Sequence, residues 1–209
     1  MTNEWKPKRP VVVLAALATV IAVSGCLQEV PIVSRDTGNK TTNMTLEEQR
    51  EWVGEQFDAA VTASGAAEGW YDIYWKDVFW SADRPEDREL LLGSWFPRKC
   101  GLGGRLDESL KNMTADDPLG AAEKVRAFWE SDGWTVTDVW SDPSPAEPHF
   151  RADREDGAFM GFQASVDGMS LSVYSACSVN HTVMNWQSYV DDEPNEFEEE
   201  LERRESSAE

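Results

Sequence analysis

Basic residues, histidine and cysteine are scarce in this chain of 209 residues. Only 19 lysines and arginines oppose 39 acidic residues, which gives a formal net charge of -20. Because phosphate contacts need clustered basic side chains, we expect no nucleic-acid partner bound through a basic face. Three cysteines are too few for a disulfide-dense scaffold, whereas 41% hydrophobic residues indicate a globular body.

The scarcity of histidine and cysteine also limits the chemistry that the sequence supports. His149 and His181 are far apart in the chain and no Cys pair accompanies them, so the spacing of a structural zinc site is missing. No Gly-x-Ser-x-Gly motif marks a serine nucleophile. We interpret both histidines as structural or surface residues and predict no catalysis, no metal and no cofactor. With so many acids, two carboxylates at a suitable separation are not by themselves evidence of a hydrolase.

Long apolar runs are absent except at the N-terminus. Residues 11–24 form an uncharged, mostly apolar run of 14 residues, which follows three basic residues, Lys6, Lys8 and Arg9. As a helix this run would span about 21 Å, which is shorter than the ~30 Å hydrocarbon core of a bilayer. A basic start, a short apolar core and small residues before a cleavage site indicate a secretory signal.

The end of this segment, Val23-Ser24-Gly25-Cys26, resembles the lipobox of bacterial lipoproteins. The resemblance implies that residues 1–25 are removed as a signal peptide and that Cys26 becomes the lipid-modified first residue. The protein would then be held by its lipid on the extracytoplasmic face of the cell membrane. Two alternatives stay open, an uncleaved transmembrane anchor and a plain secreted product.

If Cys26 carries lipid, two cysteines are left. An exported domain meets an oxidising compartment, where two remaining thiols usually pair. We therefore predict a disulfide bond between Cys100 and Cys177.

Composition divides the mature chain into three parts. Residues 26–43 contain the lipidated Cys and a polar run without helical or strand periodicity, which predicts a flexible tether. Residues 44–190 are predicted to form a single α+β domain. Residues 191–209 carry ten acids and two arginines, which is typical of an acidic, disordered tail. A partner-binding role for this tail is the alternative.

Two amphipathic helices are marked by their ends. The first begins where Thr45 to Glu48 fit a capping box, and Gly65 stops it. The second begins at Asp117-Pro118, with Asp117 as N-cap, and Gly133 ends it.

Strands are predicted mainly in the C-terminal half. Asp156-Gly157 and Asp167-Gly168 separate the last three strands and predict type I′ hairpin turns. A further strand is predicted at Arg88 to Phe96. The strands predicted in the C-terminal half are residues 134–140, 149–154, 158–166 and 169–177. Together the elements predict an α+β two-layer sandwich of two main helices on a mainly antiparallel sheet that ends in a β-meander.

The ten tryptophans are the richest source of candidate contact residues. Trp70, Trp75 and Trp80 are spaced by five, which fits neither one face of a strand nor one stripe of a helix. We therefore expect some of them to be exposed and to contact a ligand or partner, with core packing as the alternative.

Together these features resemble the small, poorly characterised lipoproteins common in actinobacteria. The shared features are the lipobox, the acidic body, a helix leading into a meander and a late cysteine. A halophilic source is an alternative explanation of the acidity. The sequence predicts a lipid-anchored, non-catalytic interaction module whose partner is an envelope protein or the cell wall. A small cell-envelope hydrolase and a substrate-capturing lipoprotein of a transporter are the alternatives.

Overall fold

The computed structural model describes residues 40–185. The predictions for the signal peptide 1–25, for Cys26 and for the acidic tail 191–209 lie outside the described residues. So do residues 26–39 of the predicted tether and residues 186–190 of the predicted domain.

The described chain forms four helices and eight strands. In chain order they are α1 (Leu46–Ser64), β1 (Trp70–Asp72), α2 (Pro85–Ser94), β2 (Arg98–Cys100), β3 (Gly103–Arg105), β4 (Asp107–Asn112), α3 (Pro118–Ser131), β5 (Thr135–Asp138), β6 (His149–Asp153), β7 (Phe159–Ser165), β8 (Gly168–Tyr174) and α4 (His181–Met184). Six strands form one sheet in the order β1-β4-β8-β7-β6-β5, and β2 pairs with β3 separately. Every pairing between these strands is antiparallel.

Helices α1 and α3 pack against each other and cover one face of the six-stranded sheet. On β7 and β8 the core-facing residues alternate with partly exposed ones, as a half-buried sheet requires. The buried members are Met160, Phe162 and Ala164 on β7 and Met169, Leu171 and Val173 on β8. The predicted α+β sandwich ending in a meander is therefore confirmed, and residues 40–185 leave the second face of the sheet open.

The predicted helix caps are present. The Thr45 hydroxyl accepts the Glu48 N–H at 3.2 Å, and the Glu48 carboxylate accepts the Thr45 N–H at 2.7 Å. Gly65 ends α1 in the left-handed region at φ 76°. The Asp117 carboxylate accepts the Gly120 N–H at 2.9 Å and so caps α3. These ends depend on neighbouring residues alone, which is why the sequence marks them.

The predicted type I′ turns are wrong, although both hairpins form. The Arg154 N–H donates to the Ala158 carbonyl at 3.0 Å, so the first loop has three residues and ends on Gly157 at φ 91°. In the second hairpin Ser165 pairs with Gly168, so the turn residues are Val166 and Asp167.

Register explains the second difference. Ala164 lies opposite Met169 and Phe162 opposite Leu171, which keeps the apolar side chains of both strands on one face. The predicted strand 158–166 included Val166, which is 74% exposed because it occupies the turn.

The predicted strand at Arg88 to Phe96 is also wrong, because α2 extends through most of it. Pro85 lies in the first turn of this helix and Leu91 is fully buried. A short apolar run is compatible with a strand or a helix, and packing decides between them. Here Arg50 of α1 donates to the carbonyls of Gly93 at 2.8 Å and Trp95 at 3.0 Å, which supplies a cation at the C-terminal end of α2.

The predicted disulfide joins Cys100 at the end of β2 to Cys177 just after β8, with the Cα atoms 5.9 Å apart. Gly103 lies beside it, and a Cβ at this position would collide with the Ser178 carbonyl. The buried Gln49 side chain donates to the Ala176 carbonyl at 3.0 Å, which ties α1 to the same corner. Gly103 therefore allows the chain to pass close beside the disulfide.

Candidate functional site

A pocket of about 390 Å³ opens where β1 and β4 meet the segment that follows α2. We call it the aromatic pocket. Its lining residues are Asp72, Tyr74, Trp75, Ser94, Trp95, Phe96, Arg98 and Glu108. Pockets that bind small molecules have this composition, apolar and aromatic walls with a few polar groups that converge.

Strand pairing brings the two acids of the pocket together. Asp72 pairs with Leu110, and Glu108 lies two residues before Leu110 on β4. Because side chains alternate along a strand, all three stand on the same face of the sheet. Leu110 is fully buried, so this is the face that the helices cover. Both carboxyl groups therefore lie at the covered face, where the sheet ends and the pocket begins.

The Asp72 carboxyl is held by the loop that follows β1. Asp72 is 2% exposed, and its Oδ1 atom accepts the N–H groups of Tyr74 at 2.7 Å and Trp75 at 3.2 Å. Burial raises the pKa of Asp72, while these two donors and the nearby Trp95 indole act in the opposite direction. Asp72 therefore shapes the pocket by fixing the position of Trp75.

Glu108 has no comparable support. Within residues 40–185 its carboxyl group makes no hydrogen bond and no ion pair. Burial, together with the neighbouring Asp72 and Asp107, raises the pKa of Glu108 to about 8, while Arg98 and Arg50 act in the opposite direction. At neutral pH Glu108 therefore holds its proton most of the time.

The inner wall of the pocket belongs to the hydrophobic core. Trp95 is 3% exposed and stacks on Trp80 with ring centroids 5.5 Å apart. Its ring also packs against Phe57 at 5.5 Å. The indole N–H of Trp95 is close enough to lower the pKa of Asp72, yet it completes no hydrogen bond of normal geometry within the described chain. The wall therefore presents a buried indole N–H near Asp72 that lacks a hydrogen bond of normal geometry within residues 40–185.

The mouth of the pocket is polar and exposed. The Arg98 guanidinium donates to the Tyr74 hydroxyl at 3.5 Å, and both side chains are exposed. Phe96 is also exposed and forms the apolar part of the rim. The pocket thus has acids at its base, aromatic rings on its walls and one cation at its mouth.

Of the three tryptophans predicted to contact a ligand, the structure places only Trp75 in the pocket lining. Trp70 is 0% exposed and Trp80 is 2% exposed. Their indole N–H groups donate to the Ala66 carbonyl at 2.7 Å and to Asp58 at 2.9 Å. The expectation of exposure is wrong for these two, because the chain bends between β1 and α2 and a regular spacing does not predict which side faces solvent.

The residues that sequence reasoning missed are Asp72, Trp95, Arg98 and Glu108. Asp72 carries a weak signal, since it interrupts an aromatic-rich segment. Glu108 carries none, because it lies in a polar stretch whose strand pairing is set from a distance.

The two histidines lie outside the aromatic pocket. His149 lines a groove of about 260 Å³ on the open face of the sheet, together with Arg151 and Tyr174. We call it the open-face groove. The His149 ring packs against Trp140 at 5.7 Å, and burial lowers the pKa of His149. His181 begins α4. Their interpretation as non-catalytic residues stays a prediction.

No helix within residues 40–185 has the length and apolar character needed to cross a bilayer. In the same described range, no three side chains of His, Cys, Asp or Glu come together as a metal-binding group.

The chain matches no family model, and no curated protein matches it. One solved structure is similar, a DUF4853 family protein from Actinomyces odontolyticus. The TM-score is 0.42 and the sequence identity is 12%, over 68% of this chain and 75% of that chain. This likeness is too low to assign a family or an activity.

Proposed function

We propose that this protein is a lipid-anchored extracytoplasmic binding module that captures a small ligand in the aromatic pocket. The observation that carries the proposal is Glu108, a half-buried carboxyl group in the lining of an aromatic-walled pocket, without a hydrogen-bond partner among residues 40–185. A carboxyl group whose pKa is raised by its surroundings in an aromatic-walled pocket is typical of a binding site, which favours a ligand as the partner of Glu108.

The N-terminal sequence supports the anchor. The lipobox at residues 23–26 and the short apolar run before it favour export and lipid attachment at Cys26. The acidic chain makes electrostatic attraction to anionic lipid unfavourable, so lipid has to hold it at the membrane.

Replacement of Cys26 tests the anchor. We expect full-length Cys26→Ser to leave the membrane fraction, while Cys100→Ser, which keeps the lipidation residue, stays in it. Flotation of cell lysates followed by immunoblotting measures both. A Cys26→Ser chain that still floats, unprocessed, contradicts the lipid anchor and favours the transmembrane alternative.

Tryptophan fluorescence tests the pocket. A panel of amines, amino acids, carboxylates and monosaccharides is titrated into the full chain. We expect the signal change for a binding compound to be lost in Trp75→Leu and kept in Trp140→Leu, since Trp140 is exposed outside the pocket. Equal loss in both variants, or no binding by any class of compound, contradicts a binding function for the pocket.

A small envelope hydrolase is the second candidate, and the pair of acids favours it. Asp72 is held by backbone donors, whereas Glu108 is raised to a pKa of about 8, and unlike environments are what an acid–base pair needs. A hydrolase would release product from a cell-wall glycan and lose this turnover in Glu108→Gln. A binding module gives a saturable complex with no product, which mass spectrometry of the incubated glycan distinguishes.

A further inference from the structure

We propose that the ligand of the aromatic pocket is a small organic amine in its ammonium form that also carries an oxygen acceptor. This inference deepens the proposed function and depends on it. The ammonium group would lie against Asp72 and Glu108, the oxygen would accept from the Trp95 indole N–H, and the carbon body would lie along the aromatic wall.

Two polar groups that line the pocket are of opposite kind. The half-buried Glu108 carboxyl is an acceptor once it is ionised, and the buried Trp95 indole N–H lies near Asp72 without completing a hydrogen bond of normal geometry within residues 40–185. A ligand that carries only a cation would pair with Glu108 but would leave the Trp95 indole N–H without an acceptor. A ligand with only an oxygen acceptor would leave the half-buried Glu108 carboxylate without a counter-charge. An amino alcohol, an amino sugar or an amino acid supplies both groups.

The aromatic walls support the same ligand class. Ammonium ions are attracted to the faces of Trp, Tyr and Phe rings, and carbon–hydrogen groups bury apolar area against them. Trp75 and Trp95 lie beside the acids, and Phe96 lies at the rim. Arg98 at the mouth disfavours a second positive charge on the part of the ligand that faces solvent.

The groups around Glu108 indicate how pH affects binding. Asp72 on β1 and Asp107 on β4 disfavour its ionisation, while Arg98 on β2 and Arg50 on α1 favour it. An ammonium ligand adds a positive charge at short range and so favours loss of the proton. Binding should therefore release a proton, and affinity should rise with pH until Glu108 is ionised in the free protein.

Three ring compounds separate the two contacts. They are trans-4-aminocyclohexanol, cyclohexylamine, which lacks the oxygen, and cyclohexane-1,4-diol, which lacks the ammonium. We expect the amino alcohol to bind the full chain most tightly by isothermal titration calorimetry. In Glu108→Gln its affinity should fall about 10–100-fold, the range for hydrogen bonds to charged groups. The control Glu147→Gln removes an exposed acid and should leave the affinity unchanged.

Trp95→Phe tests the oxygen contact separately. It should abolish the preference for the amino alcohol over cyclohexylamine while both compounds still bind. An unchanged preference overturns the role of the indole N–H.

The proton that Glu108 should release on binding is measured by repeating the calorimetric titration of the amino alcohol in buffers of different ionisation enthalpy.

Three natural amines test where the ligand comes from, and the outcomes separate failure of the ammonium assignment from failure of the binding function. Glucosamine, ethanolamine and alanine represent a sugar, a lipid headgroup and an amino acid, and the tightest of them names the source. If the diol binds as tightly as the amino alcohol, or if Glu108→Gln changes nothing, the ammonium assignment is wrong while a binding pocket survives. If no compound of any class binds at millimolar concentration, both proposals are wrong.

Discussion

The aromatic pocket and the open-face groove lie on opposite faces of the same sheet and treat charge differently. In the groove the charged residue Arg151 pairs with Asp153 at 2.6 Å and lies over the Phe159 ring, 3.6 Å from its centroid. In the pocket Glu108 has no partner within residues 40–185 and its pKa is raised to about 8. In the groove Arg151 has a counter-ion from the protein itself, whereas in the pocket Glu108 has none within residues 40–185.

This difference shows which of the two regions contains a group that lowers the stability of the fold. A paired charge at a partly exposed surface has a small effect on stability. A buried carboxyl without hydrogen bonds costs free energy unless it keeps its proton or gains a cation. A cationic ligand would therefore offset this unfavourable free energy in the pocket, whereas the groove has none to offset.

The largest expected effect is on the pH dependence of stability at Glu108. Its folded pKa of about 8 lies above the ordinary glutamate value of 4.5, so the native state binds the proton more tightly between those values. The stabilisation is present below pH 4.5 and is lost as pH rises through 8. The full shift corresponds to about 5 kcal/mol, which partial solvent access reduces to about 2–4 kcal/mol.

Urea unfolding of the full chain and of Glu108→Gln at pH 5 to 9 measures this effect. The free energy of unfolding of the wild type should fall relative to that of the variant as pH rises. Parallel curves would show that Glu108 ionises normally, and the contrast between pocket and groove would disappear.

The next effect is at Asp72, the supported acid of the pocket. Asp72→Ala removes the acceptor for two N–H groups and leaves them unpaired, so we expect a loss of about 2–3 kcal/mol in the free energy of unfolding. Asp72→Asn keeps the Oδ1 acceptor and should lose much less. Equal losses in thermal or urea unfolding would mean that the charge, and not the hydrogen bonding, matters at this position.

A smaller effect is expected in the groove. Arg151→Met keeps the apolar stem and removes the ion pair with Asp153 and the cation over Phe159, which together contribute about 1 kcal/mol. Ligand binding in the aromatic pocket should not change. A loss of binding in this variant would show that the two concave regions are coupled.

The smallest effect is expected at the rim of the groove. Trp140 is 57% exposed and its ring contacts His149, so Trp140→Ala should change the free energy of unfolding by about 0.5 kcal/mol or less. A loss of more than about 2 kcal/mol would identify the groove rim as part of the core.

Much of the fold was predictable, and the site was hardly predictable. The caps at Thr45 and Asp117 and the alternation on β7 and β8 are local patterns, so they can be read from neighbouring residues. The disulfide was predicted from the expectation that Cys26 carries lipid, which leaves two cysteines to pair. Of the pocket lining, only Trp75 was predicted, and it was chosen for an irregular spacing that failed for Trp70 and Trp80.

By itself the sequence determined both main helices, the faces of the meander and the pairing of the cysteines, because each depends on nearby residues or on simple counting. The tertiary structure alone decided that α2 is a helix, that Val166 lies in a turn and that Asp72 meets Glu108. Those outcomes depend on burial and on contacts between segments far apart in the chain. Removal from water acts on a side chain only after the fold has surrounded it, so no local pattern records it.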